Sequence, residues 1–224
     1  MLSKLVEKLL SLAPDLRPSF HSLGEDEKGQ PIGDPKDFVN SLAEKSPAPY
    51  LTNDYCSYNI SFAAPKPIIC HGFLEVSATL VRRFMMEMAD LRPIFGFACT
   101  PEERYQRNRV MVKIGVNNIE SWVGRDTQKY VPGLYWLTLL PDALAVQHDV
   151  PISAVEAVAL EHVELEGEQH LFRFYENPDD WGATSVVADL CASLAGVFDV
   201  EKVKAKLPIA RNYLEVNSIL REWR

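Results

Sequence analysis

The chain has 224 residues, of which 47% are hydrophobic and 24% charged, and its formal net charge is −8. A chain of this size and composition buries a sufficient core without disulfides or a structural metal, and no apolar run approaches membrane-spanning length. The four cysteines are widely scattered and form no CxxC pair, so we predict reduced thiols in a reducing compartment.

The first twelve residues are apolar enough to suggest a signal peptide, but Lys4, Glu7 and Lys8 interrupt the run and no small-residue cleavage site follows. The apolar residues fall on one helical face: Leu2, Leu5, Val6, Leu9 and Leu12. We therefore predict an amphipathic helix that docks on the body of the protein, and a cytoplasmic location with no membrane contact.

Four prolines and three glycines lie within residues 14–35, which predicts a long, mobile surface loop. Beyond it, helices and strands are interspersed. The predicted helices are 35–44, 77–91, a short one from Asp142, 184–195 and 212–223. The predicted strands are 55–62, 68–73, 94–98, 110–114 and 134–140. In the last of these, Tyr135 and Trp136 would face opposite sides, which would leave one of them exposed.

A capping box is predicted at Thr100-Pro-Glu-Glu103, with proline at the first helical position. On the helix that follows, Arg104 and Arg107 would share a face and form an ion-pair network with Glu103 or Asp126.

The strongest hairpin signal is the pair 156–165 and 170–176, which flanks the short turn Glu166-Gly-Glu-Gln. A hairpin argues against a purely parallel sheet. The sequence therefore predicts a single α+β domain over residues 1–224, with a mixed, largely antiparallel sheet packed with several helices.

All of the excess negative charge lies in residues 141–183, which carry ten acidic side chains and one basic one, Arg173. One interpretation is a solvated face that maintains solubility, as in a scaffold protein. The other is a docking surface for a basic partner protein, because a concentrated field of one sign accelerates encounter. The same charge opposes nucleic-acid binding, which needs clustered Lys and Arg.

In the docking hypothesis, the partner contacts the acidic side chains of the hairpin and of the turn at Asp179-Asp-Trp-Gly182. In that turn, a tryptophan beside two carboxylates would anchor the interface. The candidate partner-binding residues are Glu161, Glu164, Glu166, Glu168, Asp179, Asp180 and Trp181.

Catalytic signals are absent from the sequence: it contains no GxSxG, HExxH, Walker or GxGxxG pattern, and Cys70-His71-Gly72 lacks a recognisable elbow. We therefore predict a protein that is not an enzyme and uses no cofactor or metal. The alternative is a metal-dependent hydrolase or other enzyme centred on the 156–176 hairpin. The ligands of a metal there would come from His162, Glu164, Glu166 and His170.

Four segments together resemble a bacterial immunity-protein family of type VI secretion and polymorphic-toxin systems: Pro93-Ile-Phe-Gly-Phe-Ala98, Arg107-Asn-Arg109, Trp122-Val-Gly-Arg-Asp126 and Pro132-Gly-Leu-Tyr-Trp-Leu137. The resemblance implies an α+β fold and a cognate toxin, a nuclease among other kinds, that is bound and blocked at its active site without catalysis. It also implies framework roles for Gly124, Pro132, Gly133, Tyr135 and Trp136. The oligomeric state stays open.

Overall fold

The computed structural model describes residues 1–24, 27–42, 49–61 and 67–224. By its internal contacts the chain divides into two units, Met1–Leu91 and Arg92–Arg224. Every strand pair in the described sheets is antiparallel, and helices are interspersed with the strands. The fold is therefore α+β, as predicted. That residues 1–224 form a single domain stays a prediction.

The first unit is built on a five-stranded sheet of order β2-β1-β3-β4-β5. In chain order its elements are α1 (Leu2–Leu10), β1 (Phe20–Ser22), β2 (Gln30–Pro31), α2 (Pro35–Leu42), β3 (Tyr50–Thr52), β4 (Cys56–Ser61), β5 (Ile69–Leu74) and α3 (Ala78–Ala89). The predicted amphipathic helix is confirmed, because α1 buries Leu5, Val6 and Leu9 in the core of this unit.

The described part of residues 14–35 contains a 3-10 helix at Pro14–Leu16 and the strands β1 and β2, where the sequence predicted a loop. The loop's mobility stays a prediction. The ends of two other predicted elements, residues 43–44 and residue 62, lie outside the described residues.

The second unit holds a four-stranded sheet of order β10-β11-β9-β6 and a separate hairpin, β7-β8. In chain order its elements are β6 (Gly96–Ala98), α4 (Pro101–Asn108), β7 (Arg109–Ile114), β8 (Asn117–Trp122), β9 (Leu137–Pro141), α5 (Asp142–Gln147), α6 (Ile152–Glu156), β10 (Glu161–Leu165), β11 (Gln169–Arg173), α7 (Val186–Ser193), α8 (Val200–Lys206) and α9 (Tyr213–Glu222).

Three sequence predictions about the second unit are wrong in detail. The strand expected at 134–140 begins only at Leu137, and both Tyr135 and Trp136 are buried before it. The first hairpin strand begins at Glu161, because the segment from Ile152 to Glu156 forms the helix α6. Strand β8 and helix α8 had no counterpart among the predicted elements, since short elements give little periodicity.

Helix α4 begins with half of the predicted capping box. The Thr100 hydroxyl accepts a hydrogen bond from the Glu103 backbone N–H at 3.2 Å. The Glu103 carboxylate does not return to Thr100; instead it accepts from Arg107 at 2.9 Å and from the Trp136 backbone at 3.3 Å.

Replacing Thr100 with alanine removes this cap. We expect the free energy of unfolding to fall by about 1 kcal/mol, because one backbone N–H at the helix start loses its acceptor. Denaturant unfolding of Thr100→Ala and Thr100→Ser measures this, since serine keeps the hydroxyl. Equal stability of the alanine variant and the natural protein would show that the cap contributes nothing.

Candidate functional site

The predicted hairpin forms one edge of the four-stranded sheet, with β10 outermost. Its register places His162 opposite Phe172 and Glu164 opposite His170. Because residues two apart in a strand share a face, His162 and Glu164 lie on the same side of β10. Residues 166–168 close the hairpin, and Gly167 and Glu168 have φ values of 79° and 60°. Glycine suits this left-handed conformation because it has no Cβ.

The carboxylates at the turn end of the hairpin are exposed. Among the described residues, Glu164, Glu166 and Glu168 make no side-chain hydrogen bond or ion pair. Like charges placed this closely repel one another, and salt screens the repulsion only in part. The turn end is therefore a concentrated negative surface.

The remaining predicted partner-binding residues lie at the other end of the hairpin. Glu161 pairs with Arg173 at 3.0 Å, and Arg173 also pairs with Glu176 at 2.8 Å. Four strand steps, about 14 Å, separate this end from the turn. The predicted set therefore divides between two places instead of forming one face.

Beyond that second end, a 3-10 helix at Pro178–Gly182 carries the predicted tryptophan turn. The Asp180 carboxylate caps this helix, accepting from the Asn177 backbone at 2.9 Å and from its side chain at 3.1 Å. Asp179 is exposed, whereas Trp181 is half-buried. The Asp179 carboxylate, unlike that of Asp180, forms no hydrogen bond or ion pair with the residues that the structure describes.

One cation approaches the acidic turn. A Cβ atom at Gly167 would lie 3.0 Å from Arg92 Nε, so the Arg92 side chain packs against the turn backbone. The lack of a side chain at position 167 leaves room for this contact. No local pattern indicates this contact, because 75 positions separate the two residues.

The two histidines of the hairpin lie side by side between two carboxylates. His162 Nε2 lies 2.9 Å from His170 Nδ1, and His170 Nε2 lies 2.8 Å from Asp142 Oδ1. On the other side, His162 Nδ1 lies 3.2 Å from Glu156 Oε1. The histidine side chains are only 11% and 10% exposed, whereas Glu156 and Asp142 reach solvent.

Each ring has one outer nitrogen beside a carboxylate, His170 Nε2 beside Asp142 and His162 Nδ1 beside Glu156. An ionised carboxylate only accepts, so a hydrogen bond between His170 Nε2 and Asp142 requires the hydrogen to be on that nitrogen. The other two ring nitrogens, His162 Nε2 and His170 Nδ1, face each other.

His162, Glu164 and His170 are also the one group of three in the described part of the chain whose donor atoms could together hold a metal ion. Each offers one ligand atom, and these atoms lie within 4.8 Å of one another. Glu166, which the sequence had grouped with them, is not a member. Sequence reasoning missed Asp142 and Glu156, which orient the two rings from α5 and α6.

Comparisons of the chain with protein-family models, with curated proteins and with solved structures found no match. The resemblance to immunity proteins therefore stays a prediction. The positions that it marks as framework, Gly124, Pro132, Gly133, Tyr135 and Trp136, are all buried. Within the described ranges no helix has both the length and the apolar character to cross a membrane.

The arginines of α4 form an ion pair and an aromatic stack. Glu103 pairs with Arg107 in the interior, as predicted, whereas Asp126 pairs with Lys129 at 3.6 Å. The guanidinium groups of Arg104 and Arg125 each lie 5.2 Å from the Trp122 ring. Cation–π contacts of this kind add stability, and they hold two arginines that form no ion pair with a carboxylate of the described residues.

The cysteines provide no activated nucleophile among the described residues. All four thiols are free. Burial raises the pKa of Cys70 to about 12, and it also raises the pKa values of Cys56, Cys99 and Cys191. A thiol with a raised pKa is protonated at neutral pH, and the thiolate is the reactive form. These environments therefore favour structural roles.

Proposed function

We propose that this protein is an immunity protein, which binds a cognate secreted bacterial toxin and blocks its active site without catalysis. One observation supports the proposal: three exposed carboxylates, Glu164, Glu166 and Glu168, lie at the turn end of an edge hairpin and form no ion pair with the described residues. The toxin would be one with a basic surface, and a nuclease is the kind that fits best.

The physical reason is electrostatic complementarity. A nuclease cleft is basic because it binds phosphates, and a narrow acidic turn can enter it as a phosphate mimic. Mutual repulsion makes the free turn unfavourable, so a basic partner relieves a cost that the isolated protein carries. The field of the turn would also accelerate encounter, by at least about tenfold at low salt.

The test uses the product of the neighbouring reading frame as the candidate toxin, produced together with this protein. We expect Glu166→Lys combined with Glu168→Lys to restore toxicity and to slow association by about tenfold at low salt, because both charges reverse at the turn. Toxicity assays and association rates measured over a range of salt concentrations provide the readout. Neither replacement changes the two histidines of the hairpin, His162 and His170.

A matched control reverses two exposed carboxylates of the first unit, Glu7→Lys with Glu75→Lys, and raises the net charge equally. This variant should neutralise the toxin normally. Undiminished neutralisation by the turn variant would contradict the proposal, and so would a neighbouring gene that encodes no toxin. An equal loss of neutralisation in both variants would show that the effect comes from the change in net charge.

A second candidate function, a metal-dependent hydrolase, is favoured by the group His162, Glu164 and His170. Two histidines with one glutamate form a donor set of catalytic zinc sites, which keep a fourth position for water. Turnover of model phosphodiesters or esters by the zinc-loaded protein, lost in His162→Gln, would favour the enzyme. Stoichiometric neutralisation of a toxin without turnover favours the immunity protein.

A further inference from the structure

We infer that His162, His170 and Glu164 form a binding site for one zinc ion on the outer hairpin of the four-stranded sheet. The inference depends on neither candidate function, since a bound zinc ion can serve structure, regulation or catalysis. It rests on the placement of the donors, on the groups that hold them, and on the spacing of the two rings.

The outer nitrogens of both rings are already held by carboxylates. His170 Nε2 contacts Asp142 Oδ1 at 2.8 Å, and His162 Nδ1 contacts Glu156 Oε1 at 3.2 Å. Metal-binding histidines almost always donate their second ring N–H to such a group, which fixes the tautomer and the ring orientation. Here both rings have this support, and the nitrogens left over face each other.

Packing keeps the rings in place. The His162 ring stacks on the Phe172 ring, with centroids 4.6 Å apart and planes 16° apart, and Phe172 is fully buried. Both histidines stand on paired strands, so the register of the hairpin sets their separation. Little conformational entropy is therefore left to lose when a metal binds.

The spacing of the facing nitrogens is close to that of two zinc ligands. His162 Nε2 and His170 Nδ1 are 2.9 Å apart. Zinc–nitrogen bonds of about 2.05 Å at a tetrahedral angle place the two nitrogens about 3.3 Å apart. Zinc binding therefore requires a separation larger by about 0.4 Å and a rotation of both rings, so that their lone pairs converge on the ion instead of pointing at each other.

The third donor supplies negative charge. Glu164 lies directly opposite His170 in the register and on the same face as His162, and it is exposed. A carboxylate beside two neutral imidazoles suits zinc, nickel or copper, whereas calcium and magnesium need more oxygen ligands than this group offers. The exposed side of Glu164 leaves the fourth position to water or to an added ligand.

The experiment titrates zinc into chelator-treated, full-length protein by calorimetry, in competition with a chelator of known affinity. We expect one zinc ion per chain. His162→Gln and His170→Gln should each weaken binding by at least about 100-fold, because each removes a ligand, and Asp142→Asn by roughly 10–100-fold through loss of ring orientation. His71→Gln, an exposed histidine on β5, is the control and should bind normally.

Absence of zinc binding would overturn the inference, and so would equal affinity in the natural protein and in both histidine variants. Circular dichroism verifies that the variants are folded. If the histidine variants do not fold, Glu164→Gln tests the inference instead, because the exposed Glu164 side chain forms no hydrogen bond or ion pair in the described part of the chain. We expect this variant to bind roughly tenfold more weakly; unchanged affinity would exclude the assigned ligand set.

Discussion

Replacing Glu103 with alanine is expected to lower the free energy of unfolding by roughly 3–5 kcal/mol, because it leaves a buried cation unpaired. The Glu103 side chain has no exposed surface and pairs with Arg107 at 2.9 Å. Arg107 also donates to the Tyr175 hydroxyl at 2.8 Å. Burial raises the pKa of Glu103, because it disfavours the carboxylate, while Arg107 and the Trp136 N–H oppose that rise.

Equilibrium unfolding in denaturant measures the loss, and Glu102→Ala is the control, since Glu102 is exposed one position earlier on α4. We expect the double replacement Glu103→Met with Arg107→Met to be much less destabilising than Glu103→Ala, because no buried charge remains. If Glu103→Ala unfolds at the same denaturant concentration as Glu102→Ala, the ion pair is not a stability determinant.

Replacing Gly124 with alanine is expected to cost about 2–4 kcal/mol, from two sources. Gly124 has a φ of 77°, in the left-handed region, where a side chain costs roughly 1–2 kcal/mol. A Cβ atom there would also collide with the buried Phe198 ring. Displacing that ring disturbs the Tyr130 and Trp223 rings that pack against it.

Gly115→Ala separates the two sources. Gly115 has a φ of 59°, but a Cβ atom there would meet nothing within 4 Å. We therefore expect the free energy of unfolding of this variant to fall only by the cost of placing a side chain in the left-handed conformation. Thermal and denaturant unfolding of both variants measure the difference. An equal decrease in the free energy of unfolding for the two variants would show that the Phe198 ring moves aside without cost.

Local signals predicted much of this fold. The apolar spacing of the first twelve residues predicted α1, and Thr100-Pro predicted the start of α4. Pro141-Asp142 predicted α5, and the glycine between two apolar runs predicted the hairpin of β10 and β11. Each signal depends on neighbours within a few residues, so the sequence carries it directly.

The candidate site was predicted only in part. The hairpin register brings His162, Glu164 and His170 together, and the sequence suggested that grouping. It also placed Glu161 and Asp180 on the docking surface, whereas the first pairs with Arg173 and the second caps a 3-10 helix. A count of charged residues in the sequence treats every carboxylate alike. In the folded protein, a carboxylate that forms an ion pair or caps a helix is no longer available to a partner.

The sequence by itself determined that the negative charge is concentrated in residues 141–183, that a hairpin and the segments flanking it carry this charge, and that the fold class is α+β. Only the tertiary structure decided which carboxylates stay free, that Asp142 and Glu156 hold the histidine rings, and that Glu103 is buried against Arg107. Charge and turn formation depend on residues near in the chain. Pairing and burial depend on which distant segments the folded chain brings into contact, and no local pattern encodes them.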